Sequence, residues 1–261
     1  MHIISGALLL VRTHRRELLL QVLAYPVLAL LWAAWLWIPD AHWYQLLLTA
    51  LLALALALSG LWINATTMRA YREESSSTSA LRMLSLLLWF VILAALLWWV
   101  GSWTRWLTDL SPYLYSKMSH GTREAVRLPR LTGFFYGLQT CVFWYCIPAL
   151  LFPFAVEWAS HSLLHARYRV LLRSLANAGY WVGFVPIALI AAWMPGYLVS
   201  AQLGYSLSAQ TFSLVVRVAL DYFVFLGCWI LAIALAGQSL RERDTDSVRN
   251  RIAGEPAPQP A

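Results

Sequence analysis

Six long apolar runs constrain this chain more than any other feature of its sequence. A helix needs about 20 consecutive, mostly apolar residues to cross the hydrocarbon core of a bilayer. The runs lie at residues 18–38, 44–64, 82–103, 132–156, 179–199 and 212–236. Backbone N–H and C=O groups in hydrocarbon must be satisfied within their own segment, so each run is predicted to be a helix. The fold class that follows is an all-α, polytopic membrane helix bundle with six transmembrane helices.

Composition agrees with lipid as the main solvent and excludes several functions. The chain is 61% hydrophobic and only 12% charged, about half the charged share of a typical soluble domain. The net charge of +7 does not indicate binding to nucleic acid, because the basic residues fall in short clusters between apolar runs. The three cysteines form no C-x-x-C pair and predict no disulfide framework. No common catalytic or nucleotide-binding signature occurs, and no cofactor is predicted.

The distribution of basic residues predicts the orientation. Thirteen of the 19 Lys and Arg residues lie at the termini and in the loops on the same side as the termini. The opposite side has five, all in the loop of residues 104–131, and Arg217 lies inside a run. Cytoplasmic loops of membrane proteins are enriched in Lys and Arg, so both termini are predicted to be cytoplasmic. The Arg-rich, Lys-poor composition agrees with a bacterial inner membrane, which is the expected location.

The segments outside the six runs also receive assignments. Residues 1–17 are predicted to form a cytoplasmic, interfacial amphipathic helix. Its lipid-facing residues would be Ile3, Ile4, Ala7, Leu8 and Val11. Residues 238–261 are predicted to be a cytoplasmic, largely disordered tail. The loop of residues 104–131 is expected to lie along the headgroups, with a short helix after Pro112. It is either a solvated connector with aromatic anchors or a surface that binds anionic headgroups or a partner.

Two charged residues interrupt the last apolar run. Arg217 and Asp221 are four residues apart, so they share one face of the predicted helix. A lone charge near the centre of a bilayer costs on the order of 3 kcal/mol. Arg217 can extend toward the headgroups, whereas Asp221 lies one turn deeper and needs a partner, a cavity or a proton. Two interpretations stay open: a structural pair that faces the bundle interior, or a ligand or ion pathway.

A second group of polar residues follows the fourth run. Glu157, His161 and His165 recur every four residues and would line one stripe of a helix. Two histidines at this spacing with a carboxylate one turn away are able to hold a metal such as zinc. The simpler interpretation is that these polar residues mark the exit of the helix from lipid into the cytoplasmic headgroups.

Glycine and proline patterns suggest how the helices pack. Gly133 with Gly137, and Gly179 with Gly183, both fit G-x-x-x-G, a spacing that lets helices approach closely within the bundle or between two copies. Prolines interrupt the fourth and fifth runs and predict kinks there. The prolines concerned are Pro148, Pro153, Pro186 and Pro195.

Three features resemble a known group of membrane domains. They are the order of the helical hairpins, the polar loop "YREESSSTSALR" at residues 71–82, and "FPFAVEW" followed by "RYRVLLRS" after the fourth run. Together they resemble the six-helix bacterial membrane domains that are attached to some glycerophosphodiester phosphodiesterases. The resemblance implies a membrane domain and supplies no catalytic residues, so we assign no family from it.

Three functions are compatible with these patterns. The first is a non-enzymatic membrane protein, namely a small transporter, a permease-like subunit or an accessory protein, with Arg217 and Asp221 at its site. The second is an interfacial or intramembrane lipid-acting enzyme with a metal at Glu157, His161 and His165. The third is a structural membrane scaffold. The expected partners are membrane lipids and a second copy or another subunit of a membrane complex, not nucleic acid.

Overall fold

The computed structural model describes residues 2–38, 42–72, 79–200 and 207–254, which are almost entirely helical. In chain order the helices are α1 (His2–Thr13), α2 (Arg15–Trp35), α3 (Trp43–Arg72), α4 (Ala80–Lys117), α5 (His120–Ala125), α6 (Leu128–Cys141), α7 (Ile147–His161), α8 (Tyr168–Leu175), α9 (Ala178–Ser200) and α10 (Leu207–Gly254), and a π-helical segment (Val142–Cys146) joins α6 to α7. Six helical stretches are long and apolar enough to cross a membrane. The predicted all-α fold with six spanning helices is confirmed.

The spanning helices present their apolar side chains outward. Only 6% of the most apolar stretch of α2 and 17% of that of α3 is buried inside the protein. Leu23 and Leu30 of α2, for example, are 66% and 71% exposed. Soluble monomers rarely expose apolar surface on this scale. Hydrocarbon therefore surrounds these helices, and the protein is an integral membrane protein.

Three helices continue beyond the ends that the sequence predicts. Helix α3 runs to Arg72 instead of residue 64, and α4 runs through Pro112 to Lys117 instead of ending at residue 103. Helix α10 continues to Gly254, although residues 238–261 were expected to be largely disordered. The predicted ends followed the loss of apolar residues, but a helix that has left hydrocarbon no longer needs them. Residues 255–261 of the predicted tail lie outside the described residues.

The chain divides into two compact units. The first unit comprises Met1–Leu88, Phe152–Gly183 and Trp229–Ala261, and the second comprises Trp89–Leu151 and Phe184–Cys228. Helices α4, α7, α9 and α10 contribute residues to both units. Each unit is described separately below.

Small side chains allow the helices of the first unit to pack closely. All residues from 155 to 160 of α7 and from 232 to 237 of α10 are buried. Alanine occupies many of these positions, and Gly237 lies against the backbone of α3. A Cβ atom at Gly237 would be only 2.9 Å from the carbonyl oxygen of Tyr71. Close approach of this kind is how helices associate where no hydrophobic effect drives them together.

Helix α1 packs onto the first unit with part of the face that was expected to contact lipid. Ile3 and Ala7 are buried, whereas Ile4 and Leu8 are 40% and 53% exposed. The side chain of Ile3 occupies the space beside Gly179, at 3.2 Å from where a Cβ atom would lie. All of these residues were predicted to face lipid. Gly179 on α9 leaves space for Ile3, so α1 buries one side of its apolar face against the protein.

Side-chain N–H groups link the helices of the second unit through backbone carbonyls. The indole of Trp89, which is fully buried, donates to the carbonyl of Leu151 at 2.7 Å. The amide of Gln139 donates to the carbonyl of Val100 at 2.8 Å. Such bonds replace water as the partner of polar groups inside a membrane protein.

We predict that Gly237→Ala destabilises the protein by about 2 kcal/mol, because the added Cβ atom would force α10 away from the backbone of α3. The measurement is equilibrium unfolding in mixed detergent micelles. Gly227→Ala on the same helix is the matched control, since no atom lies within 4 Å of a Cβ atom there. Equal stability of the two variants would contradict the close packing of α3 and α10.

Candidate functional site

A buried carboxylate lies at the centre of the most polar part of the first unit. Glu157, near the end of α7, is completely shielded from solvent. Its Oε2 atom lies 3.4 Å from Nη2 of Arg72 on α3, whose side chain is only 2% exposed. Its Oε1 atom accepts a hydrogen bond from the backbone N–H of Arg167 at 2.8 Å. Both oxygens therefore face positive charge or a donor, which a buried carboxylate requires.

His161 completes this arrangement. Its Nδ1 atom is 3.2 Å from Oε1 of Glu157, and its Nε2 atom is 2.6 Å from Nη2 of Arg167. A guanidinium group only donates hydrogen bonds, so Nε2 of His161 accepts this one.

The chain turns sharply after His161, and polar contacts fix the turn. Ser162 has a φ of 66°, in the left-handed region that few non-glycine residues adopt. The next backbone N–H, of Leu163, donates to Oγ of Ser85 on α4 at 2.9 Å. The hydroxyl of Tyr168 donates to the carbonyl of Leu163 at 2.6 Å. Glu157 and Ser85 thus hold the segment between α7 and α8 from two sides.

The three residues predicted as metal ligands do not form one site. Glu157 and His161 are together, but α7 ends at His161, so the stripe of i and i+4 positions does not reach His165. His165 is exposed, and its Nδ1 atom lies 3.2 Å from Oγ of Ser162. In the described part of the chain, no group of three or more His, Cys, Asp or Glu side chains is placed to hold a metal ion.

The Glu157 cluster, defined as Arg72, Glu157, His161 and Arg167, is suited to holding helices together. It joins α3, α7 and the turn before α8 through one carboxylate. Removing one partner of a buried ion pair leaves an uncompensated charge and is strongly destabilising. The arrangement therefore fixes the geometry of the first unit.

The second predicted pair lies in the second unit, on the N-terminal half of α10. Ser213, Arg217 and Asp221 are half-buried, at intervals of four residues, while most of their neighbours are exposed to the hydrocarbon. Phe212 and Val215, for example, are 73% and 62% exposed. Arg217 and Asp221 therefore lie on the narrow stripe of α10 that faces the other helices of this unit.

Arg217 and Asp221 have different surroundings despite their spacing. The guanidinium of Arg217 donates to the carbonyl of Ser213 at 3.1 Å and to that of Leu198, on α9, at 3.2 Å. Oδ1 of Asp221 is shielded from solvent and has no hydrogen-bond partner. Among the described residues, no ion pair joins Arg217 to Asp221.

The two glycine motifs also differ in their surroundings. Gly183 faces the side chains of Leu235 and Ile4, at 3.2 and 3.3 Å from the position of a Cβ atom, and Gly179 faces Ile3. Gly133 and Gly137 have no atom within 4 Å of that position. The motif of Gly179 and Gly183 therefore lies in packed surroundings within the chain, and the motif of Gly133 and Gly137 faces open space.

Comparison with known proteins gives no further assignment. No protein-family model, no curated protein and no solved structure matches this chain.

Arg72, Arg167 and Ser85 belong to the site but were not predicted as functional residues. The sequence contains one clear signal for them, since Glu157 lies within the apolar segment "FPFAVEWAS" and a carboxylate there needs a cationic partner. Which arginine supplies it depends on contacts between residues far apart in sequence, and the sequence pattern does not contain that information.

We predict that Glu157→Ala lowers the stability of the protein by about 3 kcal/mol, because the variant breaks the buried ion pair between Glu157 and Arg72. Unfolding in mixed micelles measures the change. Glu124→Ala is a matched control because Glu124 also pairs with a histidine at i, i+4, His120, but both side chains are largely exposed. We expect no measurable change in the stability of that control. If Glu157→Ala also left the stability unchanged, the proposed role of the Glu157 cluster would be contradicted.

Proposed function

We propose that this protein is a non-enzymatic membrane transport component of the permease type, in which Asp221 binds the coupling proton or cation. The observation that carries the proposal is the surroundings of Asp221. Its carboxyl group lies inside a spanning stretch, Gln210–Glu242, on the inward stripe of α10, with one oxygen shielded from solvent and without a partner. Ionisable residues in this setting are rare, and they commonly mark ion and substrate pathways.

Removing an isolated carboxylate from water is very costly, and buried charges in proteins are paired or hold a bound ion. A proton satisfies that need, and so does a small cation bound by Asp221. Both are exchangeable, unlike the guanidinium that compensates Glu157, so Asp221 is suited to bind and release a charge.

The position of Arg217 supports this proposal. Its hydrogen bond to the carbonyl of Leu198 ties α10 to the end of α9, and its hydrogen bond to the carbonyl of Ser213 lies within α10. The guanidinium is thereby held close to the backbone, one helical turn from Asp221. Among the described residues it forms no ion pair with Asp221, which leaves that carboxylate able to take up another charge.

The alternatives receive less support from the described residues. A lipid-acting metalloenzyme needs Glu157, His161 and His165 in one coordination sphere, but α7 ends before His165. A purely structural role fits the Glu157 cluster, in which the carboxylate is compensated, but it does not account for Asp221. We place the transport component in a bacterial inner membrane with both termini in the cytoplasm, on the distribution of its basic residues.

We predict that dicyclohexylcarbodiimide, an apolar reagent that attacks protonated carboxyl groups within membranes, modifies Asp221 in the protein reconstituted into liposomes. Peptide mass spectrometry locates the adduct. Na⁺ is expected to protect Asp221 from the reagent if a cation is the ligand. Glu157 is the internal control, since its compensated carboxylate should remain unmodified.

The variant Asp221→Asn separates a transport role from a structural one. The assay uses liposomes loaded with a pH-sensitive dye, which reports proton movement across the membrane. We expect the wild-type protein to move protons, either alone or coupled to Na⁺, and the variant to lose this movement. The stability of the variant should change by less than about 1 kcal/mol. An unmodified Asp221, or a variant that unfolds, would contradict the proposal and favour a structural pair.

A further inference from the structure

A groove opens on the surface of the second unit between the α6–α7 span and α9. It has a volume of about 450 Å³, within the range of small-molecule pockets. Gly137, Cys141 and Trp144 form one wall, and Ala188, Leu189 and Trp193 form the other. The lining is almost entirely apolar, and all six residues lie in stretches that are long and apolar enough to cross a membrane.

The π-helical segment shapes this groove. Trp144 and Tyr145 belong to the π turn and line the groove. A π turn inserts an extra residue into a helix and bends it, a feature that occurs frequently at functional sites. Gly137, which precedes the π turn, leaves open space where another residue would place a side chain. The groove therefore results from a local departure from regular helix geometry.

Two arginines lie at the N-terminal end of α6, and the C-terminal part of the same helix lines the groove. Arg127 and Arg130 are exposed, and within the described ranges neither side chain makes a hydrogen bond or an ion pair. Arg123, by contrast, donates from Nε to the carbonyl of Met118 at 2.9 Å. Arg130 precedes Gly137 by two helical turns, so it lies on the same face of α6, about 10 Å away along the helix.

We propose that this groove binds an acyl chain of an anionic phospholipid whose phosphate lies on Arg127 and Arg130. The lining suits hydrocarbon and offers little to a polar solute. The groove is open to the surface, where the acyl chains of a bilayer would enter it. Arginines just outside the hydrocarbon attract anionic headgroups. The site is separate from Asp221, and its occupation does not depend on the transport role proposed above.

Charge argues for lipid over a second copy of the chain. In a two-fold symmetric dimer formed through this face, the arginines at the start of α6 in one copy would approach the same arginines of the other. Like charges brought together in this way are unfavourable. A lipid phosphate would neutralise both arginines. One of the two acyl chains of the lipid would lie in the groove, and the other would lie in the surrounding bilayer.

The experiment is native mass spectrometry of the purified full-length protein with added phosphatidylglycerol or phosphatidylcholine of identical acyl chains. We expect one tightly retained phosphatidylglycerol per chain and weaker retention of phosphatidylcholine. Arg127→Gln with Arg130→Gln should weaken phosphatidylglycerol binding roughly 30-fold and leave phosphatidylcholine unchanged. Arg12→Gln with Arg16→Gln removes the same charge from exposed arginines elsewhere and should leave both lipids unaffected.

A second pair of variants tests the groove itself. Gly137→Leu fills the groove and should weaken binding of both lipids, whereas Gly60→Leu adds the same side chain to α3 in open space outside the groove. A photoreactive group on the acyl chain of phosphatidylglycerol should label residues of both groove walls. Equal retention of the two lipids by the wild-type protein, or unchanged binding in Gly137→Leu, would overturn the proposal. A wild-type dimer that Gly137→Leu converts to a monomer would assign this face to a second copy instead.

Discussion

Hydrocarbon neither donates nor accepts hydrogen bonds, and the structure of this protein depends on that constraint. It requires helices where the chain crosses the membrane, because a helix satisfies its own backbone. It also explains where the polar side chains lie. Trp89 and Gln139 donate to backbone carbonyls of neighbouring helices, and Arg217 does the same on α9. These three side chains thus join one helix to another.

The same constraint removes the hydrophobic effect as a force between helices, so close packing must take its place. Alanine and glycine on α7 and α10 let these helices come near to α3 in the first unit. Gly237 against the backbone of Tyr71 is the closest example. Gly179 and Gly183 similarly give space to side chains of α1. Where the small residues lack a neighbour, as at Gly137, the structure has a groove, and we propose that a lipid occupies it.

The two membrane carboxylates, Glu157 and Asp221, have different surroundings. Glu157 faces Arg72, His161 and the N–H of Arg167, so its charge is compensated within the protein. Oδ1 of Asp221 and Oε2 of Glu157 both lack a hydrogen-bond partner, but among the described residues only Glu157 has an arginine as its ion-pair partner. We propose that the compensated carboxylate stabilises the fold and that the other one exchanges with a proton or an ion. The spacing of charged residues in the sequence does not distinguish these cases, since both carboxylates have a basic residue four positions away.

The sequence by itself determined the six spanning helices, because the length and composition of an apolar run decide its free energy of transfer into lipid. It also identified Asp221 as a charge that needs a partner, a cavity or a proton, and Glu157 as either a candidate metal ligand or a mark of the exit of its helix from lipid. The helix ends at residues 72, 117 and 254 escaped prediction, since a helix outside hydrocarbon carries no apolar signal. Only the tertiary structure decided that Arg72 compensates Glu157, that His165 lies apart from His161, and that Gly137 opens a groove while Gly183 is packed. These outcomes depend on contacts between residues distant in the chain, and on one left-handed residue, Ser162, that redirects the chain after α7.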